Sequence, residues 1–123
     1  MFKDYFEKMS KEDQVVAKEN GNCQSVSFSV DIRDTKATVI VSNLIKSNKI
    51  CVRVCQVYKG TKSIYEVCND WNSHSTGTIA FAHLTPNNDT LILTRTFSDS
   101  ENFDQVVGSN LSELLVELEY VMK

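Results

Sequence analysis

Proline occurs once, glycine four times and histidine twice among the 123 residues. So few chain-breaking residues leave no room for a linker or a low-complexity tract, and no internal repeat recurs. Long apolar runs are missing too, and no stretch approaches the ~18 residues of a membrane-spanning helix. Charge interrupts Met1-Phe2-Lys3-Asp4-Tyr5-Phe6-Glu7, so a secretory leader is not expected. The chain reads as a soluble, cytoplasmic protein without a membrane partner. The glycines stand alone at 21, 60, 77 and 108, which excludes a P-loop or a dinucleotide fingerprint. His74 and His83 share no metal-ligand spacing with each other or with a cysteine. No G-x-S-x-G elbow exists. No metal site, no cofactor and no catalytic residue is expected, and the chain does not read as an enzyme.

What is present is ordinary globular composition, 41% hydrophobic and 24% charged. That balance argues against disorder, and the length suits one domain over residues 1–123. The four cysteines are read as reduced thiols. Cys51 and Cys55 lie on one expected strand, about 13 Å apart, whereas a disulfide needs Cα atoms within about 7 Å. Cys68 falls on an apolar helix stripe, where a thiol acts as a small core residue.

Charge is unevenly distributed. Between Arg33 and Lys62 stand seven bases and one acid, and from Asp99 onward six acids and one base. Most of the bases fall in expected turns. With a pI of about 5.3, a nucleic-acid partner is disfavoured.

Periodicity supplies the fold. Phe2, Tyr5, Phe6 and Met9 recur at i, i+3, i+4, i+7, predicting an amphipathic helix that Val16 extends and Gly21-Asn22 ends. The period then changes to two. Strands are predicted over 26–32, 37–44 and 50–58, joined by turns at 33–36 and 46–49 as an antiparallel meander. Ile64, Val67, Cys68 and Trp71 return to helical spacing, giving a helix over 61–73 capped by Thr61 or Ser63. Residues 78–84 and 90–97 read as a hairpin around Pro86. Phe103, Val107, Leu111, Leu114 and Leu118 mark a long final helix. The expected class is α+β, with order α-β-β-β-α-β-β-α and one twisted, five-stranded antiparallel sheet with helices packed on it.

The middle helix ends in Asn69-Asp70-Trp71-Asn72. An Asn-x-Trp-Asn after a three-strand meander and before a hairpin and final helix resembles the YbjN family, small bacterial proteins assigned to sensory transduction regulation. The resemblance spans about 26–121. Where the family carries basic residues after the motif, this chain has Ser73-His74-Ser75. The resemblance implies a fold similar to that of type III secretion chaperones, which are homodimers that hold extended client segments. It therefore implies a homodimer and a protein partner. Read without the family, Trp71 buries its ring and needs a partner for its indole N–H. Asn72 can satisfy loose carbonyls at the helix end. Asn69, Trp71 and Asn72 are thus read as a structural motif that fixes the helix-to-strand corner.

Three functional readings follow. The favoured one is a non-enzymatic protein-binding module, chaperone-like or regulatory, carried by the sheet face or edge and the groove beside the first helix, with contacts from Phe2, Phe6, Arg53, Tyr58 and Trp71. Strand 50–58 shows apolar residues on both faces, so the second face is available to a subunit or client, and the sheet edges can accept a peptide. The second reading is a small inhibitor or adaptor acting through an acidic helix face made of Glu113, Glu117 and Glu119. The third is a cysteine-dependent enzyme built on Cys68 and His74, which the burial expected of Cys68 disfavours.

Overall fold

The computed structural model describes residues 1–75 and 77–122. Helix α1 (Phe2–Met9) is followed by strands β1 (Val16–Asn20), β2 (Cys23–Ile32), β3 (Thr35–Leu44) and β4 (Lys49–Val57). Helix α2 (Ile64–His74), strands β5 (Ile79–Leu84) and β6 (Asp89–Ser98) and helix α3 (Phe103–Val121) complete the chain. The strands form one open antiparallel sheet in the order β1-β2-β3-β4-β6-β5. Crossing through α2 places β5 beyond β6, at the sheet's edge.

The sheet has six strands, not the expected five, and the element order is α-β-β-β-β-α-β-β-α. The difference is β1. The first helix stops at Met9, where the Ser10 hydroxyl bonds back to the Glu7 carbonyl at 2.9 Å. Val16 does not extend it. Residues Val16–Asn20 instead pair with β2, from Val16 opposite Ser27 to Asn20 opposite Cys23. The turn has its own chemistry: the Asn20 side-chain oxygen accepts from the N–H groups of Asn22 and Cys23 at 2.9 and 3.0 Å. Gly21-Asn22 is therefore the two-residue loop of a hairpin closed by the Asn20–Cys23 pair, and not a helix end.

The other elements follow the sequence pattern closely. Ser63 caps α2 by accepting from the Tyr65 N–H at 3.3 Å, and α3 runs through Gly108 without a break. All three helices lie on one face of the sheet. That face carries Val26, Ala37, Val39, Val41, Ile50, Val52, Val54, Leu91 and Leu93, all buried. Against them pack Phe2 and Tyr5 of α1, Ile64 and Cys68 of α2, and Phe103, Val107, Leu114 and Leu118 of α3. Each large aliphatic so buried contributes about 1.5–3 kcal/mol, so this single layer is the main source of stability. Among the described residues, no helix lies over the opposite face of the sheet.

Candidate functional site

The Asn-x-Trp-Asn motif proves to be a clamp on the sheet edge. Trp71 is half-buried, and its indole N–H donates to the Thr78 carbonyl at 3.1 Å. The Asn72 amide donates to the Ala80 carbonyl and accepts from the Ala80 N–H, both at 2.8 Å. In an antiparallel edge strand, alternate residues point both backbone groups outward. Ala80 is such a residue, and Asn72 occupies the place a neighbouring strand would take. The motif does fix the helix-to-strand corner, but Asn72 serves the strand and not the helix end. Asn69 is exposed. Ala80 is buried, so Asn72→Ala leaves two backbone groups unpaired and should cost about 1–3 kcal/mol of unfolding free energy. Urea denaturation measures this. A change below about 0.5 kcal/mol, typical of free surface, would mean that water replaces the clamp.

Beyond the clamp, the same parity leaves the outward groups of Ala82 and Leu84 open. The opposite edge, β1, carries Lys18 and Glu19, whereas β5 (Ile-Ala-Phe-Ala-His-Leu) has no acid, lysine or arginine. Charged residues blunt an edge, so β5 is the more adhesive of the two.

Among the described residues no hydrogen bond joins Cys68 to His74. Cys68 is buried under the sheet, and His74 Nδ1 lies 2.9 Å from the Ser73 hydroxyl and 2.9 Å from the Asp70 carbonyl. Burial pushes the thiol of Cys68 above its ordinary value, and burial likewise raises Cys55, with Arg53 pulling the other way. A thiol with raised pKa is a poor nucleophile at neutral pH, so Cys68 should react with a thiol reagent only as fast as the chain unfolds. The folded chain holds both protons more tightly than the unfolded chain does. Their stabilising contribution is therefore complete below the ordinary thiol value of 9.0 and is lost as pH rises through the folded values. Denaturant titrations should show stability falling above about pH 9, and less steeply in Cys55→Ser/Cys68→Ser. Among the described residues, no group of three His, Cys, Asp or Glu side chains is placed to hold a metal ion.

The acidic residues of α3 are engaged inside the molecule. Arg95 of β6 points toward the helices. Its Nη1 donates to Glu113, and its Nη2 to Glu117 at 2.9 Å. Its Nε donates to the Thr78 hydroxyl at 2.8 Å, which itself donates to Glu117 at 3.0 Å. Glu119 pairs with Arg33 of the β2–β3 turn at 2.8 Å. The acids of that face each have an ion-pair partner within the molecule, Glu113 while remaining 61% exposed.

Two surfaces remain. The first is a groove of about 940 Å³ between the β4–α2 loop, α2 and the end of α3, lined by Tyr58, Lys62, Val67, Trp71, Tyr120 and Met122 among others. The Tyr58 hydroxyl donates to the Lys62 carbonyl at 2.8 Å, and Tyr58 covers Gly60 so closely that any side chain there would overlap its ring. Trp71 and Tyr120 meet with ring centroids 6.5 Å apart.

The second is the bare face of the sheet. Strand alternation and the pairing register place Ile40, Arg53, Thr94 and Ile79 in one cross-strand row, and Thr38, Cys55, Ile92 and Phe81 in the next. Ile79 is 59% exposed, Val57 38% and Phe81 36%. The Arg53 guanidinium lies over the Phe81 ring, 5.7 Å from its centroid. Lys18, Lys36 and Lys49 project from the same face against one acid, Asp31. The whole chain carries −3, so the excess of acid lies in the rest of the molecule.

Of the residues singled out in the sequence, Arg53 lies on the bare face, and Tyr58 and Trp71 line the groove. Phe2 is fully buried, and Phe6 packs against the core while staying partly exposed. Glu113 and Glu117 belong to the Arg95 network. Sequence reasoning missed Ile40, Ile79, Phe81 and Ile92. Their alternation was legible, but which face the helices leave open was not.

Comparison with known proteins supports the fold. The chain matches the crystal structure of YbjN from E. coli, described there as a proposed transcription regulator, with a TM-score of 0.54 and 11% identity. The match covers 98% of this chain and 86% of that one. No family model matches the sequence, and no curated protein matches it. The YbjN resemblance read from the motif therefore holds for the fold. No helix among the described residues is long and apolar enough to cross a membrane.

Proposed function

We propose that this chain is a non-enzymatic regulatory module that binds another protein, and that the bare face of its sheet is the docking surface. The observation that carries this reading is the exposed pair Ile79 and Phe81 beside Arg53, with Val57 exposed further along the same face. An aromatic–arginine pair within apolar surroundings is the composition of interface hot spots. The open Ala82–Leu84 edge lies beside it and suits a chaperone-like grip on an extended segment. The four free thiols suit a reducing compartment such as the cytoplasm.

The test is site-specific photo-crosslinking in the cells that make the protein. A photoreactive phenylalanine analogue replaces Phe81 in one variant and Ser29, on the polar half of the same face, in another. Protein adducts at position 81 and none at 29 are expected. Equal adducts, or none at either position, would overturn the reading.

A second reading, a homodimer, rests on α3. Val116 and Tyr120, one turn apart, are 67% and 71% exposed beside the groove. A two-fold pairing of α3 would cover them. Light scattering over a concentration series tests it, with Val116→Asp expected to return a dimer to monomer.

A further inference from the structure

We infer that the bare sheet face docks an amphipathic helix of acidic character supplied by a partner protein. This rests on the reading above that the face binds protein, and it names the partner's chemistry.

A sheet face is covered by a helix layer or by a second sheet, whereas a single strand adds at an edge. The second sheet nearest to hand is that of another copy, and charge opposes it. Lys18, Lys36, Lys49 and Arg53 of one copy would face the same set on the other, with only Asp31 to offset them. Like-charge juxtaposition of this kind selects against a partner. A helix fits the dimensions. The apolar patch runs from Ile40 on β3 across Cys55 and Ile92 to Ile79 and Phe81 on β5. These are four adjacent strands, about 14 Å across, against a helix diameter of about 10–12 Å.

Acidity follows from Arg53. It stands exposed within the patch, over Phe81, and among the described residues it makes no ion pair. A guanidinium so placed presents its fork of donors to a carboxylate. Lys36 and Lys49 stand toward opposite ends of the patch and can meet further acids. Nucleic acid is a poorer match. Phe81 is the one aromatic on this face among the described residues, where base stacking relies on several, and Ile40, Ile79 and Ile92 offer nothing to phosphates.

The probe is a synthetic peptide of about five helical turns, with leucines at i, i+3, i+4, i+7 and glutamates flanking them. Its counterpart carries lysine for glutamate, and an oligothymidine serves as the nucleic-acid control. Binding is followed by methyl and amide chemical shifts of the whole chain. The glutamate peptide is expected to shift Ile40, Ile79 and Ile92, and the lysine peptide is not. Arg53→Glu is expected to weaken the glutamate peptide by about tenfold or more and to improve the lysine peptide. Equal binding of the two peptides, shifts at Val67 and Trp71 in place of the sheet isoleucines, tighter binding of oligothymidine, or no binding at all would each overturn the inference. The adduct at position 81 reads whether any protein binds the face, whatever its charge. Adducts at 81 without selectivity for the glutamate peptide would reject the acidic helix alone. Loss of the adducts would reject the binding reading itself.

Discussion

Phe2→Ala should lower the unfolding free energy by about 3–5 kcal/mol, the range for deleting a fully buried aromatic ring. Phe2 is at 0% exposure although it is the second residue of the chain. Its ring meets Phe103 edge-on with centroids 5.6 Å apart, and also contacts Tyr5 and Phe6. Its backbone N–H is held by both carboxylate oxygens of Asp99, at 3.0 and 3.3 Å. An acid at a helix N-terminus satisfies a free N–H and complements the helix dipole. The chain end is therefore pinned twice, by ring packing and by the cap. Truncating the ring leaves a cavity between α1, α3 and the sheet that eight residues of helix cannot collapse to fill. Asp99→Ala removes only the cap and should cost about 0.5–2 kcal/mol. Urea midpoints at constant m-value measure both. A cost for Phe2→Ala no larger than that of Asp99→Ala would show that α1 frays and that Phe2 is a surface residue available to partners.

That pair of residues shows where the sequence was legible. The stripe Phe2, Tyr5, Phe6, Met9 identifies a helix by spacing alone, because helical periodicity is local. Whether the stripe meets its own core or a partner depends on Phe103 and Asp99, about a hundred positions away, and no local pattern encodes that. The three strands of the meander, the apolar stripe of α3 and Ser63, one of the two caps expected for α2, are legible for the same local reason. Strand β1 was not. All five of its residues are exposed, so Val16-Ala17-Lys18-Glu19-Asn20 shows no alternation, and Val16 happens to sit seven residues after Met9. Gly21-Asn22 suits a helix end and a two-residue hairpin loop alike, and the structure uses it as the loop. For the candidate site, Trp71 and Asn72 are legible as a corner motif, because a buried indole needs a partner for its N–H and an amide at a helix end finds backbone groups. The bare face was half legible: the sequence showed apolar residues on both faces of β4, while the choice of face followed only from three helices packing on the same side.

Glu113 and Glu117 illustrate the opposite case. Their i, i+4 spacing on a helix reads as a solvated face, and solvated it would be without Arg95. Arg95→Ala should cost about 3 kcal/mol, the lower end of the range for breaking a buried ion pair by removing one partner. The lower end applies because the side chains of Arg95 and Glu117 retain 19% and 20% exposure and Glu113 retains 61%. Burial opposes the charge on Arg95, and the Glu113 and Glu117 carboxylates outweigh it, holding the guanidinium above its ordinary value. It is charged at any working pH, so the loss should not vary between pH 6 and 8. The substitution takes the guanidinium from Glu117, which keeps the hydroxyl of Thr78, itself 2% exposed. The carbonyl of the same Thr78 receives the Trp71 indole, so the damage reaches the clamp on β5. Arg95→Lys should recover only part of the loss, because an ammonium cannot reach Thr78, Asn110 and both glutamates from one plane. A double-mutant cycle of Arg95→Ala with Glu117→Ala should give a coupling of about 1–3 kcal/mol. A coupling near zero would mean that α3 keeps its acids in solvent, and those glutamates would again be available to a basic partner.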